Sequence, residues 1–378
     1  MKTRLILPLL LLFLTIASCG GNDPIMPPTP PAPTPGDSTL VPDTTGKDTL
    51  PEVKPEDFAR GADISWYSQM EDKGKKFYSW NHREPMDCPA VMQDLGLNAI
   101  ALRVLVNPHD GYCTMDDVLR KARRVHQLGL DLLVSLHFSD TIASSSLQRT
   151  PQEWQDHSME MLAEDVRSHT ASVLQALTEE GIEPRWIQIG NQLDNGLLWP
   201  AGYLTRYPTQ YATLVSSACR SARTICPKAQ IIVAAGNPLH QPSLCAALDG
   251  LRTTDYDQIG LALYPTQSVG SSFQLLNTAI SYGIENENDA IAYTMQTIDM
   301  LFNKYKKHCM IVECGVPVSQ ETAGSMHMRQ LVKEARANTT CRGVIYHEPE
   351  AYEGWRGYTQ GAFLSNGRPT QIIDALTK

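Results

Sequence analysis

The chain has 378 residues, with 41 acidic and 32 basic side chains and a net charge of −9. No cluster of basic residues stands out, which argues against nucleic acid as a partner. From residue 57 to Lys378 the composition is that of a folded globule, and neither a repeat nor a shift in composition divides it. We therefore predict one large domain over residues 57–378.

The N-terminus predicts export. Lys2 and Arg4 precede an apolar run from Leu5 to Ile16, and small residues then lead to Cys19. An ordinary signal peptide has this pattern, but a cysteine at the junction resembles a bacterial lipoprotein signal (residues 1–18), cleaved before Cys19 and acylated there. We predict lipid anchoring at a bacterial membrane, at the outer membrane or the cell surface. Residues 19–56, rich in Pro and Thr, predict an extended tether.

Short apolar runs alternate with stretches of helical periodicity through the rest of the chain. Eight strands separated by helices favour a single-domain α/β fold, the (β/α)8 TIM barrel. A doubly wound open sheet shows the same alternation and stays the alternative. The predicted strands are Gly61–Ser65, Asn98–Val104, Leu130–His137, Trp186–Gly190, Gln230–Ala235, Gln258–Tyr264, Met310–Cys314 and Gly343–His347. The predicted helices are Asp116–Leu128, Ser158–Glu180, Gln210–Ile225, Asp289–Lys307 and Met326–Ala337.

Eight cysteines remain once Cys19 is assigned to the anchor. An exported protein permits disulfides. We predict a disulfide between Cys88 and Cys113, because each comes just before a predicted helix on the same face of the barrel. Three others lie in or beside apolar strands and are expected to be buried free thiols: Cys309, Cys314 and Cys341. No spacing of cysteine or histidine suggests a metal site, and no cofactor is predicted.

Polar residues end the apolar runs, at the edge of a barrel where catalytic groups lie. They are Asp63, Arg103, His137, Asn191, Gln192, Tyr264, Glu313 and Glu348. Retaining glycoside hydrolysis needs two carboxyl groups about 5 Å apart, one to protonate the leaving oxygen and one to attack the sugar. Strand seven supplies Glu313 for such a pair, and strand four ends in Asn191 and Gln192.

Several segments together resemble glycoside hydrolase family 53, the endo-β-1,4-galactanases. They are Gly61–Ser65, Leu102–Val104 with Asn107–Pro108, His137–Asp140, Ile187–Pro200, Tyr264–Pro265, Val312–Glu313 and Glu348–Pro349. The likeness runs from about Arg60 to the C-terminus. It implies a barrel that cleaves internal bonds of β-1,4-galactan, the side chains of pectic arabinogalactan, with retention.

The resemblance also implies a role for each matched residue. Glu313 matches the nucleophile, and Arg103 an arginine that holds and polarises it. Tyr264 matches a tyrosine bonded to the nucleophile, Asn191 an asparagine that binds the sugar 2-hydroxyl, and His137 a histidine lining the site.

The chain departs from the family pattern at the substrate face. Gln192 stands where the family has its catalytic acid, and an amide has no proton to donate. His347 replaces a tryptophan that floors the sugar subsite. Leu105 replaces another tryptophan, Ser135 replaces an aspartate, and Thr141–Ser144 replaces a Trp-Ala-Asp-Pro segment.

Three functions fit this pattern. The first is recognition of β-1,4-galactan with hydrolysis lost or strongly impaired. The second is an active galactanase whose acid is relocated to Asp194, Glu348 or His347. The third is a glycosidase for another saccharide. A binding protein requires an aromatic platform, for which the candidates are Trp66, Trp199 and Trp355.

Overall fold

The computed structural model describes residues 58–268, 284–352 and 354–377. The predicted signal peptide, Cys19 and the tether lie outside these residues. In the described part of the chain, no helix combines the length and the apolar character that crossing a bilayer requires.

Eight parallel strands close into a barrel, which confirms the predicted (β/α)8 fold. The strands are β1 (Ala59–Asp63), β2 (Ala99–Val104), β3 (Asp131–Leu136), β4 (Trp186–Ile189), β7 (Gln230–Gly236), β8 (Gln258–Leu263), β9 (His308–Cys314) and β10 (Cys341–His347). Successive strands in this order pair with each other, and β10 pairs with β1, which places Asp63 opposite His347. That closing pair rules out an open sheet. A small hairpin of β5 (Gly196–Leu197) and β6 (Gly202–Tyr203) follows β4.

All eight strands and all five helices expected from the sequence are present. The helices are α1 (Tyr67–Asp72), α2 (Cys88–Asp94), α3 (Met115–Gln127), α4 (Met159–Glu179), α5 (Pro208–Ile225), α6 (Gln241–Asp249), α7 (Pro265–Ser268), α8 (Glu287–Tyr305), α9 (Glu321–Ala337) and α10 (Gln371–Asp374). Local sequence sets their starts. Thr114 caps α3 by accepting a hydrogen bond from the backbone N–H of Asp117, and Asn286 forms a capping box with Asp289 at α8.

The alternation of side chains along each strand explains where the polar site lies. A small cluster of buried residues, which includes Ala99, Ala101, Leu133 and Met310, is separate from the larger core cluster. We assign the small cluster to the barrel interior, because successive side chains of a strand point to opposite faces. Counting on by two along each strand from this small cluster leads to buried polar residues at the C-terminal strand ends: Asp63, Arg103, Ser135, Gln188 and His347. The sequence thus turns polar where the interior meets the barrel mouth.

The predicted disulfide is not formed. Cys88 and Cys113 are both buried free thiols. Both precede helices as expected, but the Cys113 Sγ points to the carbonyl oxygen of Ser65, 3.7 Å away, and Cys88 opens α2. A shared face of the barrel therefore does not bring the two sulfur atoms together. Cys309, Cys314 and Cys341 are buried free thiols, as predicted.

Candidate active site

The Glu313 carboxylate lies at the centre of the barrel mouth, 8% exposed at the end of β9. Tyr264 donates its hydroxyl to Oε1 over 2.6 Å, and Asn191 Nδ2 donates to Oε2 over 3.1 Å. Gln192 Nε2 donates to both oxygens, at 3.1 and 3.2 Å. The structure thus brings together four of the residues singled out from the sequence. Burial and the neighbouring Glu313 charge raise the pKa of Tyr264 well above its usual value, so its hydroxyl stays a donor.

The loop after β3 fixes the orientation of the two amides. Gln192 Oε1 accepts from the backbone N–H of Ser145 over 3.2 Å, which turns its Nε2 toward Glu313. Asn191 Nδ2 also donates to the carbonyl of Ala143, at 3.0 Å. Gln148 Nε2 in turn donates to the carbonyls of Asn191 and Gln192, at 2.7 and 3.2 Å. Gln192 is therefore held as a donor to the carboxylate, with a backbone φ of 48°.

Arg103 does not hold Glu313, contrary to the contact that the resemblance implies. Its fully buried guanidinium donates to Glu348 Oε1 over 2.7 Å and lies 3.5 Å from Asp63 Oδ2. Two buried carboxylates compete for this cation, and pairing with them offsets the cost of burying it. Burial alone would raise the pKa of Asp63, but Arg103 and His347 outweigh it and hold that pKa well below its usual value.

The pKa values of the two histidines of the site are shifted in opposite directions. His137 Nδ1 accepts from the backbone N–H of Ala143 at 3.1 Å, so its Nε2 carries the proton. Burial and the Arg103 charge hold the pKa of His137 well below its usual value, and the ring is neutral. For His347, burial lowers the pKa, but the bond to Asp63 and the charges of Glu313, Asp63 and Glu348 raise it overall. His347 therefore gains a proton more readily than free histidine.

A second carboxyl lies behind Arg103 and was not anticipated from the sequence. Glu350 is completely buried, and burial and the neighbouring Glu348 raise its pKa well above the usual value. It is therefore a neutral acid at neutral pH. Glu348 is also completely buried, and its Oε2 accepts from the backbone N–H of Trp66 at 3.0 Å. Both oxygens of Glu348 are thus engaged, one by Trp66 and one by Arg103.

Asp194 is buried away from the Glu313 hydrogen bonds. It sits in a short 3₁₀ turn, Leu193–Asn195, against Gly236, where a β-carbon would lie 2.9 Å from the Asp194 Cγ. Its Oδ1 has no hydrogen-bond partner among the described residues. Burial raises the pKa of Asp194 to about 7, and its charge contributes to the raised pKa of Tyr211 on α5. The structure therefore places this carboxyl toward the helix layer.

Aromatic side chains flank the site on two sides. Trp66, His347 and Tyr358 form one cluster, with ring centroids 5.4 to 6.3 Å apart. On the other side Trp199 donates its indole N–H to the carbonyl of Asn195 and meets Tyr203 edge-on at 5.2 Å. Tyr358 has no motif that would have marked it in the sequence.

The cavity at Glu313 is small, about 10 Å³, which is room for about one water molecule. Its lining is Asp63, Ala101, Ser135, His137, Gln188, Asn191, Val312, Glu313 and His347. A much larger cavity, of about 690 Å³, lies at the opposite end of the barrel around Trp186, Gln230 and Gln258. Size alone would select that cavity, but the convergent hydrogen-bonding groups lie at the small one.

One group of described residues has the spacing of metal ligands. Asp63, His347 and Glu348 bring possible ligand atoms within 4.8 Å of one another. Arg103 already neutralises two of them. The buried atoms that lack a hydrogen-bond partner here are Nε and Nη1 of Arg103, and both are donors. The arrangement therefore does not fit a resident cation.

A closed eight-stranded barrel with a carboxylate on the seventh strand and Asn-Gln after the fourth defines a glycosidase-type (β/α)8 barrel. The profile of glycosyl hydrolase family 53 matches residues 59–367, and the chain belongs to that family. Arabinogalactan endo-beta-1,4-galactanase A of Aspergillus niger is 30% identical over 267 residues, 69% of this chain and 71% of the relative. The Emericella nidulans galactanase A is 29% identical over 266 residues, 68% and 71% of the two chains.

Solved structures share the fold. The family 53 catalytic domain of Ignisphaera aggregans superposes with a TM-score of 0.73 at 22% identity, over 85% of this chain and 96% of that one. A structure from a study of two fungal beta-1,4-galactanases gives 0.72 at 21% identity, over 84% and 98%. These likenesses support the barrel architecture independently of the sequence profile.

Proposed function

We propose that this protein recognises β-1,4-galactan at the mouth of its barrel, with hydrolysis lost or strongly slowed. The observation that carries the proposal is the contact of Gln192 Nε2 with both oxygens of Glu313. An amide at that point binds a carboxylate but donates no proton to a leaving sugar. Loss of general acid catalysis costs about 10² to 10⁴ in rate.

In this proposal Glu313 keeps the position of the nucleophile. It is held by Tyr264 and by Asn191, whose amide also lies where it can meet the sugar 2-hydroxyl. A leaving group that departs without a proton should then still be displaced by Glu313, forming a covalent glycosyl-enzyme. Water would release that sugar slowly, since Gln192 is no base.

The first test measures reducing ends released from purified β-1,4-galactan by the mature protein and by Gln192→Glu. We expect no detectable release by the wild type, retention of the wild type on galactan in affinity electrophoresis, and a gain of about 10² or more in Gln192→Glu. The added change Glu313→Gln should abolish that gain. Absence of retention on galactan would refute recognition, and measurable release at equal rates by wild type and Gln192→Glu would refute the impaired acid.

A second test uses dinitrophenyl β-galactobioside, whose leaving group needs no protonation. Wild type should release one equivalent of dinitrophenolate as the Glu313 carboxylate bonds to the anomeric carbon. Azide, which attacks without a base, should then displace Glu313 from the anomeric carbon and release β-galactobiosyl azide. Gln192→Glu should turn over without azide. No burst in the wild type would argue against Glu313 as a nucleophile.

A relocated acid is the second candidate, and the pKa of about 7 at Asp194 favours it, because general acids work best near the operating pH. It requires Asp194 to leave its position against Gly236. If the wild type cleaves galactan, Asp194→Asn and Glu348→Gln identify the acid by loss of that activity.

A third candidate function is action on a different saccharide, and His347 in place of a tryptophan favours it. Affinity electrophoresis against a panel of plant glycans tests this candidate.

We also propose that the mature protein is anchored through lipid on Cys19. The support is the charged, apolar and small-residue pattern that ends at this cysteine. Labelled palmitate should enter the wild type but not Cys19→Ser, and only the wild type should sediment with membranes. Equal sedimentation of both would refute anchoring by this residue.

A further inference from the structure

We propose that Trp66 is a sugar-stacking platform and that Arg356 is a displaceable cover on it. The inference rests on the proposed recognition of galactan. It assigns a role to two residues that lie outside the hydrogen bonds of Glu313.

The position of Trp66 follows from the barrel register. Asp63 at the end of β1 lies opposite His347 at the end of β10, and Trp66 comes three residues after Asp63. The Trp66 backbone N–H is tied to Glu348, and its indole centroid lies 6.3 Å from the His347 ring and 5.4 Å from Tyr358. An indole therefore stands beside the position where this chain has lost a tryptophan to His347, and His347 itself lines the Glu313 cavity.

Two guanidinium groups lie over the Trp66 ring. Arg103 is 5.7 Å from the ring centroid and completely buried, so it belongs to the interior of the site. Arg356 is 5.8 Å from the centroid, and 46% of its side chain is exposed. Trp66 is only 7% exposed, and the rings of His347 and Tyr358 also lie against it. Of the two cations over the indole, Arg356 is the one whose side chain already reaches solvent and can move away.

Arg356 is held by surface contacts that are easily broken. Its Nη1 donates to Asp110 Oδ2 at 3.0 Å and to Gln69 Oε1 at 3.1 Å, and the Asp110 side chain is 39% exposed. Exposed ion pairs of this kind contribute little to stability. A half-exposed guanidinium over an aromatic ring gains little as well. The apolar face of a pyranose, which buries more of the ring, should displace the guanidinium from Trp66.

The proposal is tested by galactan binding to the mature protein, measured by titration with a galactan oligosaccharide. Arg356→Asn removes the cover, and asparagine tolerates the backbone φ of 52° at this position. We expect it to bind about fivefold more tightly, the effect of one exposed ion pair. Trp66→Phe should bind about tenfold more weakly and lose most of the ligand-induced change in tryptophan fluorescence. Arg329→Ala, an exposed arginine on α9, is the matched control.

Salt provides a readout that a purely structural role would not move. Galactan is neutral, so screening of the Arg356–Asp110 pair should make the wild type bind more tightly as salt rises, while Arg356→Asn shows no such trend. The proposal is overturned if Trp66→Phe binds galactan as tightly as the wild type, or if Arg356→Asn binds it more weakly. Either result leaves galactan recognition standing. Absence of galactan binding by every variant would overturn both.

Discussion

The buried carboxyl of Asp194 makes the stability of the barrel depend on pH. Its pKa is 3.8 in an unfolded chain and about 7 in the folded protein, where burial disfavours the charged form. Between these values the folded state holds a proton that the unfolded state has lost. The free energy of unfolding therefore falls as pH rises from about 4 to about 7, and the loss is complete above that.

The size of the effect follows from the two pKa values. Their difference corresponds to about 4 kcal/mol between the acidic and the alkaline limit. An asparagine side chain cannot ionise, so Asp194→Asn should match the wild type near pH 4 and exceed it by up to about 4 kcal/mol near pH 9. Loss of the negative charge is the whole effect, because an asparagine amide and a protonated carboxyl are nearly isosteric.

Urea unfolding of both proteins at several pH values between about 4 and about 9 measures the difference. Asp156→Asn, at an exposed position, controls for the loss of one charge and should follow the wild type throughout. An Asp194→Asn curve parallel to that of the wild type over the whole range would refute the reasoning. It would mean that the Asp194 carboxylate is solvated or paired in the folded protein.

The remaining predictions concern buried ion pairs and thiols. Arg103→Leu leaves Glu348 buried without its cation and should lower the free energy of unfolding at neutral pH by about 3–5 kcal/mol, measured by urea denaturation; no loss would mean that the pair with Glu348 does not stabilise the fold. Lys121→Met removes the completely buried cation that lies 2.8 Å from Asp117, whereas Arg120, 2.7 Å from the same carboxylate, remains. The loss should therefore be smaller than that of Arg103→Leu, and an equal loss would mean that the half-exposed Arg120 does not compensate. The lipidated mature protein should titrate eight free thiols when denatured without reductant, and six would reinstate a disulfide.

The fold was predictable because strands and long helices repeat their pattern over many residues. Each barrel strand is an apolar run, and α3, α4, α5, α8 and α9 span several turns. The short helices α2 and α6 have fewer than three turns, so their apolar residues show little periodicity. The sequence signal for each helix start is a proline at its second position, Pro89 in α2 and Pro242 in α6. Periodicity alone does not give the bounds of helices this short.

The site was predictable where a side chain's role follows from its strand. Glu313, Asn191, Gln192 and Tyr264 lie at the C-terminal ends of β9, β4 and β8, and a parallel barrel brings these ends to one mouth. The partner of Arg103 did not follow, because several carboxylates lie within reach of one long side chain and burial decides among them. Glu350 and Tyr358 lie in the loop after β10, which has no periodic pattern to place them.

Under the proposed function, an amide at Gln192 in place of an acid changes the shape of the site as well as its chemistry. Two carboxyl groups repel unless they share a proton, and a retaining site keeps them about 5 Å apart. An amide attracts the carboxylate instead, and Gln192 Nε2 lies against both oxygens of Glu313 where only about 10 Å³ remains. Under the proposed function, Gln192→Glu therefore adds a proton donor and also removes the attraction between residue 192 and Glu313. A gain of binding without a gain of hydrolysis in that variant would show that release of Glu313 from this contact was the larger effect.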